Sequence, residues 1–87
     1  MKKTEGYRIR KLEDEYVVLP FGKRAEEVNE VISLSETAGF MYLHVEEADS
    51  AEELAELVSK AYEVEKSVVY EDVVSVVRTL REKGLLL

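Results

Sequence analysis

The segment SVVYEDVVSVVRTL, Ser67 to Leu80, admits two incompatible readings, and the rest of the chain follows from the choice between them. Its valines favour an extended strand by propensity. The run is too long for one strand, however, and Val69, Val73, Val76 and Leu80 recur at the 4, 3, 4 spacing that stacks side chains on one helix face. We read a helix with that stripe as its core face. At about 100° per residue, Tyr70, Val74 and Val77 form a second apolar strip beside the first. One small helix packed on one side needs only one strip. The second is either more core or a surface kept apolar for a partner. Arg81 and Lys83 in the last turn, then Gly84 and Leu85, make a C-terminal stop signal.

Upstream, Ser50 with Glu53 three residues on forms a capping box, and Leu54, Leu57, Val58 and Ala61 make the stripe of a second helix. Ser35 caps another helix, Glu36 to Val45, with Ala38, Met41, Tyr42 and Val45 on one face. Before it lie β-rich runs. Tyr7 to Leu12 and Glu15 to Leu19 flank Glu13-Asp14 as a hairpin, Pro20 closes the second strand, and Phe21 to Arg24 reads as a loop. A third strand fits Glu30 to Leu34. The order β-β-β-α-α-α predicts an α+β fold over residues 1–87 as one domain: a three-stranded antiparallel sheet followed by three helices.

Composition excludes several function classes. Hydrophobic residues make up 46% and charged residues 36% of the 87, the pattern of a globular chain. No apolar run is long enough to span a membrane, and the start MKKTEGYRIR lacks the apolar core of a signal peptide, so a cytoplasmic protein is expected. Without cysteine there is no thiolate nucleophile or thiolate metal site. The net charge of −7 is uneven: residues 1–12 carry five basic groups against Glu5, and residues 25–60 carry ten acids against Lys60. Such a body repels a phosphate backbone, which argues against nucleic-acid binding. The basic cluster reads as an edge strand guarded by charge.

Catalytic signals are missing. The single histidine, His44, lacks partners at metal-ligand spacing, no serine lies in a G-x-S-x-G setting, and Gly6, Gly22, Gly39 and Gly84 are too scattered to cradle a phosphate. We expect no catalytic residue, metal or cofactor. The chain reads as a binder. An open sheet edge beside an apolar groove can accept a peptide as a further strand. The strip Tyr70, Val74 and Val77 could wall that groove, with Arg78 and Arg81 pairing to acidic groups of a guest. Equally, Val77 could complete the core and Val74 touch the second helix.

Four runs, YRIRKLEDEYVVLP (Tyr7 to Pro20), VISLSETAGFMYL (Val31 to Leu43), AEELAELVSKAYEV (Ala51 to Val64) and EDVVSVVRTLREKGLL (Glu71 to Leu86), together resemble the PqqD family. These are small peptide chaperones, also called RiPP recognition elements, that serve the modification of ribosomally made peptides. The resemblance implies a winged-helix-like fold and no catalysis. It also implies that the leader region of a precursor peptide lies as a strand against the third strand, in a groove shared with the last helix, for a modifying enzyme that is often of the radical S-adenosylmethionine type. Carried onto this chain, the groove positions are Val31, Ile32 and Ser33 on the strand and Val69, Asp72, Val73, Val76, Val77 and Leu80 on the helix. Three departures stand out. Ser35 replaces the usual asparagine, Tyr42 and Val76 replace larger aromatics, and Tyr70 and Val74 stand where polar residues are usual. The last pair widens the apolar strip, so a homodimer surface is a rival to the peptide groove. A winged-helix DNA-binding or regulatory module is a second rival, opposed by the net charge.

Overall fold

The computed structural model describes residues 1–87. The elements run β1 (Tyr7–Leu12), β2 (Glu15–Pro20), α1 (Lys23–Glu27), β3 (Ile32–Ser35), α2 (Glu36–His44), a 3₁₀ turn (Val45–Glu47), α3 (Ala51–Tyr62) and α4 (Lys66–Glu82). The hairpin forms as expected, antiparallel from Tyr7↔Pro20 to Leu12↔Glu15. Its turn is closed by Glu13 in the left-handed region at φ 55°. β3 pairs antiparallel with β2, so the sheet order is β1-β2-β3.

Two boundaries differ from the sequence reading. The supposed loop Phe21 to Arg24 runs into α1, a five-residue helix with no buried side chain and hence no apolar stripe to announce it. The third strand begins at Ile32 rather than Glu30 and extends to Ser35, which is at once the last strand residue and the cap of α2. The Ser35 Oγ accepts from the Ala38 N–H at 3.1 Å. At α3 the Ser50 Oγ accepts from the Glu53 N–H at 3.2 Å, while the Glu53 carboxylate reaches one residue past the expected partner, to the Asp49 N–H at 2.8 Å.

α2 packs on the sheet over β2 and β3, and α3 and α4 pack on α2 and on each other. Val18, Ile32 and Leu34 supply the sheet's share of the core, and Met41, Tyr42, Val45, Leu54, Val58, Val73, Val77 and Leu80 supply the helices' share. The closest approach is at Gly39 in α2, over which the Tyr16 ring lies so tightly that a Cβ would stand 2.5 Å from its Cγ. Only glycine lets α2 lie this near β2.

The stop signal of α4 folds as read. Gly84 takes φ 79°, its N–H donates to the Arg81 carbonyl at 3.0 Å, and the Leu85 N–H donates to the Leu80 carbonyl at 2.8 Å. This is the Schellman arrangement, with Leu80 and Leu85 both buried against the core. Beyond it, Lys3 pairs with Leu86 as an isolated antiparallel bridge, and the Thr4 N–H donates to the Leu85 carbonyl at 3.0 Å.

Candidate functional site

β3 has a partner on one side only. The other outer strand, β1, carries Arg8, Arg10 and Lys11, charges that guard an edge against further pairing. Along β3 the exposed positions are uncharged: Val31, just before the strand, is 55% exposed, and Ser33 and Ser35 are open to solvent. Ile32 and Leu34 alternate with them into the core. An unguarded edge of this kind leaves backbone donors and acceptors free to pair with an added strand.

A groove lies between the start of α2 and α4 and meets this edge at the last strand residue, Ser35. α4 packs on α3 and, less extensively, on α2, with little direct approach to β3. Ser35, Thr37, Ala38 and Met41 form one wall, Asp72, Ser75 and Val76 form the other, and together they enclose about 280 Å³. Towards the strand's start the Lys83 Nζ lies 3.9 Å from the Glu30 carboxylate. α4 therefore runs antiparallel to β3, with Asp72 near the strand's end and Lys83 near its beginning.

The sequence-predicted residues divide three ways. Val31, Ser33, Asp72 and Val76 border the edge and its groove. Ile32, Val73, Val77 and Leu80 are buried in the core, and Val69 is half-buried against it. These residues support the site without being open to a guest. Tyr70, Val74, Arg78 and Arg81 lie on the opposite flank of α4, which corrects the expectation that they wall the groove. Tyr70 borders a cleft with Glu52, Lys66 and Glu71, and Val74 lies in a depression with Ala51, Arg78 and Arg81. The core stripe is corrected too: Val77, 4% exposed, replaces Val76, which is half-buried at the groove. At about 100° per residue, Val77 and Val76 sit on opposite sides of Val73. α3 packs on the Val77 side and thereby leaves the Val76 side open.

The groove residues not foreseen are Ser75, Thr37, Ala38 and Met41. Asp72, Ser75 and Val76 follow each other at helical spacing with Thr79 and Lys83, and that line was the available signal.

Charges elsewhere hold the scaffold. Lys66 reaches Glu52 at 2.8 Å and Glu56 at 3.2 Å, tying the start of α4 to α3. The hydrogen bond from Lys66 keeps the Glu52 carboxyl below its usual range, and the same bond raises Lys66. The Tyr42 phenol is raised, first by burial and then by the nearby Glu46 carboxylate. His44 Nδ1 lies 2.5 Å from Glu47, and its ring rests on Phe40. No three His, Cys, Asp or Glu side chains converge as metal ligands, and no helix is long and apolar enough to cross a membrane.

Residues 15–86 match the model of the family described as coenzyme PQQ synthesis protein D (PqqD). The chain belongs to the PqqD family. No curated protein matches it. Among solved structures it is similar to TbiB1 in complex with the TbiA(beta) leader peptide, with 23% identity, a TM-score of 0.72, and coverage of 99% of this chain and 94% of that one. It is also similar to lasso peptide synthetase B1 complexed with the leader peptide, with 21% identity, a TM-score of 0.71, and coverage of 99% and 95%. At these identities the likeness establishes the PqqD-like α+β fold, a three-stranded antiparallel sheet followed by helices.

Proposed function

We propose that the protein binds the leader region of a ribosomally synthesised precursor peptide as a fourth strand on β3 and presents it to a peptide-modifying enzyme, with no chemistry of its own. The observation that carries this reading is the uncharged, unpaired β3 edge opening onto the groove beside α4. Membership of the PqqD family and the leader peptides in both solved neighbours support it.

In this arrangement the guest's backbone pairs with the outer edge of β3, and its alternate side chains point into the groove. Val76 supplies apolar contact there over the buried Ala38 and Met41, and Asp72 and Ser75 add a polar rim. Rate enhancement comes from effective concentration: a captured precursor meets the enzyme as a local partner rather than a dilute one. In this family the enzyme is often a radical S-adenosylmethionine protein, and the neighbour described as lasso peptide synthetase B1 adds the lasso-peptide machinery as an alternative class. We place this action in the cytoplasm.

The test is an NMR titration of the isotope-labelled protein with the leader of the precursor encoded beside it. Amide shifts should concentrate at Val31 to Ser35 and along the Asp72 to Lys83 face of α4, and the affinity should vary little with salt. Silence at both elements would sink the proposal. Light scattering during the same titration separates a homodimer, whose mass would rise with protein concentration alone.

A further inference from the structure

The largest concavity of the molecule is not the peptide groove. It lies at the end of the hairpin where β1 begins and β2 ends, where the chain's first residues, the turn after β2 and the start of α1 meet around about 680 Å³. Lys2, Lys3, Lys23 and Arg24 line it, against the carboxylates of Glu5 and Glu46. Glu46 is already engaged by a backbone donor, accepting from the Lys3 N–H at 3.1 Å. Tyr7, Phe21 and Tyr42 form the apolar part of the lining.

The cations here are held in an unusual way for so acidic a protein. Nineteen Asp and Glu are available in the chain, yet none of the ion pairs involves Lys2, Lys3, Arg8, Lys23 or Arg24. Three of them rest on aromatic faces instead: Lys3 over Tyr42 at 4.8 Å, Arg24 over Tyr7 at 5.6 Å, and Arg8 over Phe21 at the rim at 4.6 Å. A ring holds a cation in place without consuming its hydrogen-bond donors, so these groups are oriented and still unsatisfied. They would lose little further freedom on gripping a carboxylate.

We propose that this ring-floored basic cleft is the docking surface for an acidic peptide segment carried by the modifying enzyme. The inference rests on the leader-binding reading, since it supposes an enzyme that receives the bound peptide. Charge decides the chemistry of the occupant. A nucleic acid long enough to bind well would run off the cleft onto the acidic body, whose residues 25–60 hold ten acids against one lysine. A short acidic segment fits within the cleft and escapes that repulsion. Position supports the assignment to the enzyme. The cleft shares no residue with the β3 edge or its groove, so leader and enzyme can be held together.

The experiment titrates the labelled protein with a nine-residue synthetic peptide rich in Glu and Asp, with its Gln and Asn counterpart, and with a nine-nucleotide single-stranded DNA. The acidic peptide should shift the amides of Lys2 to Tyr7 and Phe21 to Arg24, with an affinity that falls about tenfold between 50 and 300 mM salt, the screening expected of several exposed ion pairs. The neutral peptide should not bind. The double variant Lys2→Glu, Lys23→Glu, at two exposed positions, should lose at least tenfold in affinity for the acidic peptide and keep its leader affinity. Equal binding of the neutral peptide, an unchanged affinity in the folded variant, or tighter binding of the DNA overturns the proposal. So does a leader that itself shifts the cleft amides, which would assign the cleft to the precursor. The leader shifts at β3 and α4 are read on the same sample, so failure of leader binding is distinguished from failure of the cleft.

Discussion

Replacing Gly39 by alanine tests how α2 is seated on the sheet. Alanine is favoured over glycine within a helix by about 1 kcal/mol, so the substitution should stabilise a helix that is free on that face. Here the new methyl would lie 2.5 Å from Cγ and 2.7 Å from Cε2 of Tyr16, and closer still to Cδ2. Carbon atoms rest near 3.5 to 4.0 Å, so the ring or the helix must retreat by about 1 Å or more. Tyr16 has little room, being half-buried in β2 and paired with Leu34 of β3. Overpacking of this severity belongs at the upper end of a range of about 1 to 3 kcal/mol, and setting the helix preference against it leaves a net loss of about 2 kcal/mol. For a domain of this size that lowers Tm by about 8 to 16 °C. Urea unfolding followed by circular dichroism gives the free energy directly. A double-mutant cycle isolates the cause: in a Tyr16→Leu background Gly39→Ala should stabilise, because the ring is gone. If Gly39→Ala stabilises the parent protein, or destabilises both backgrounds equally, the account of the Tyr16 contact is refuted. The functional counterpart is the groove wall, since a displaced α2 carries Ala38 and Met41 with it.

Val76→Glu should weaken leader binding by at least tenfold, about 1.4 kcal/mol, while Val74→Glu, on the opposite flank of α4, should leave it within twofold; isothermal titration of both variants decides, and a larger effect at Val74 would move the groove to the other side of the helix. Gly84→Ala should cost about 1 kcal/mol in chemical denaturation, because alanine must take φ 79° to keep the hydrogen bonds that close α4. The raised phenol of Tyr42 makes stability fall as pH climbs past its usual value of 10.0: the unfolded chain then releases a proton that the folded state still holds. Thermal scans between pH 9 and 11 should show that loss shrink in Tyr42→Phe, and an unchanged slope would remove Tyr42 as its source.

Much of this architecture was legible because it rests on local chemistry. Ser35 and Ser50 cap their helices, the β1–β2 hairpin pairs where the β-rich runs stop, and Gly84 takes the conformation that a helix stop requires. What was not legible depends on neighbours. α1 buries nothing, so its five residues leave no periodic trace. The misassignment of Val76 and Val77 has a similar origin: both lie within reach of a core centred on Val73, and only the side chosen by α3 decides which is covered. That same choice carried Tyr70, Val74, Arg78 and Arg81 away from β3, although helical spacing had grouped them correctly with one another. The basic residues near the start were read as an edge guard, which fits Arg8 and Arg10 on β1. Nothing in their spacing showed that Lys2 and Lys3 would meet Lys23 and Arg24 around one cleft, because the antiparallel bridge of Lys3 with Leu86 is a contact across the whole chain.

The shortness of β3 limits what backbone pairing alone can hold. Four residues, Ile32 to Ser35, turn only alternate backbone groups outward, so an added strand gains at most about four hydrogen bonds, each worth about 1 kcal/mol net. Four kcal/mol alone corresponds to a millimolar dissociation constant, and side-chain contacts must supply the rest. Ser35 cannot lengthen the ladder, because the next residue already belongs to α2. An edge built this way reads a very short stretch of backbone, and the side chains of the groove decide how firmly that stretch is held.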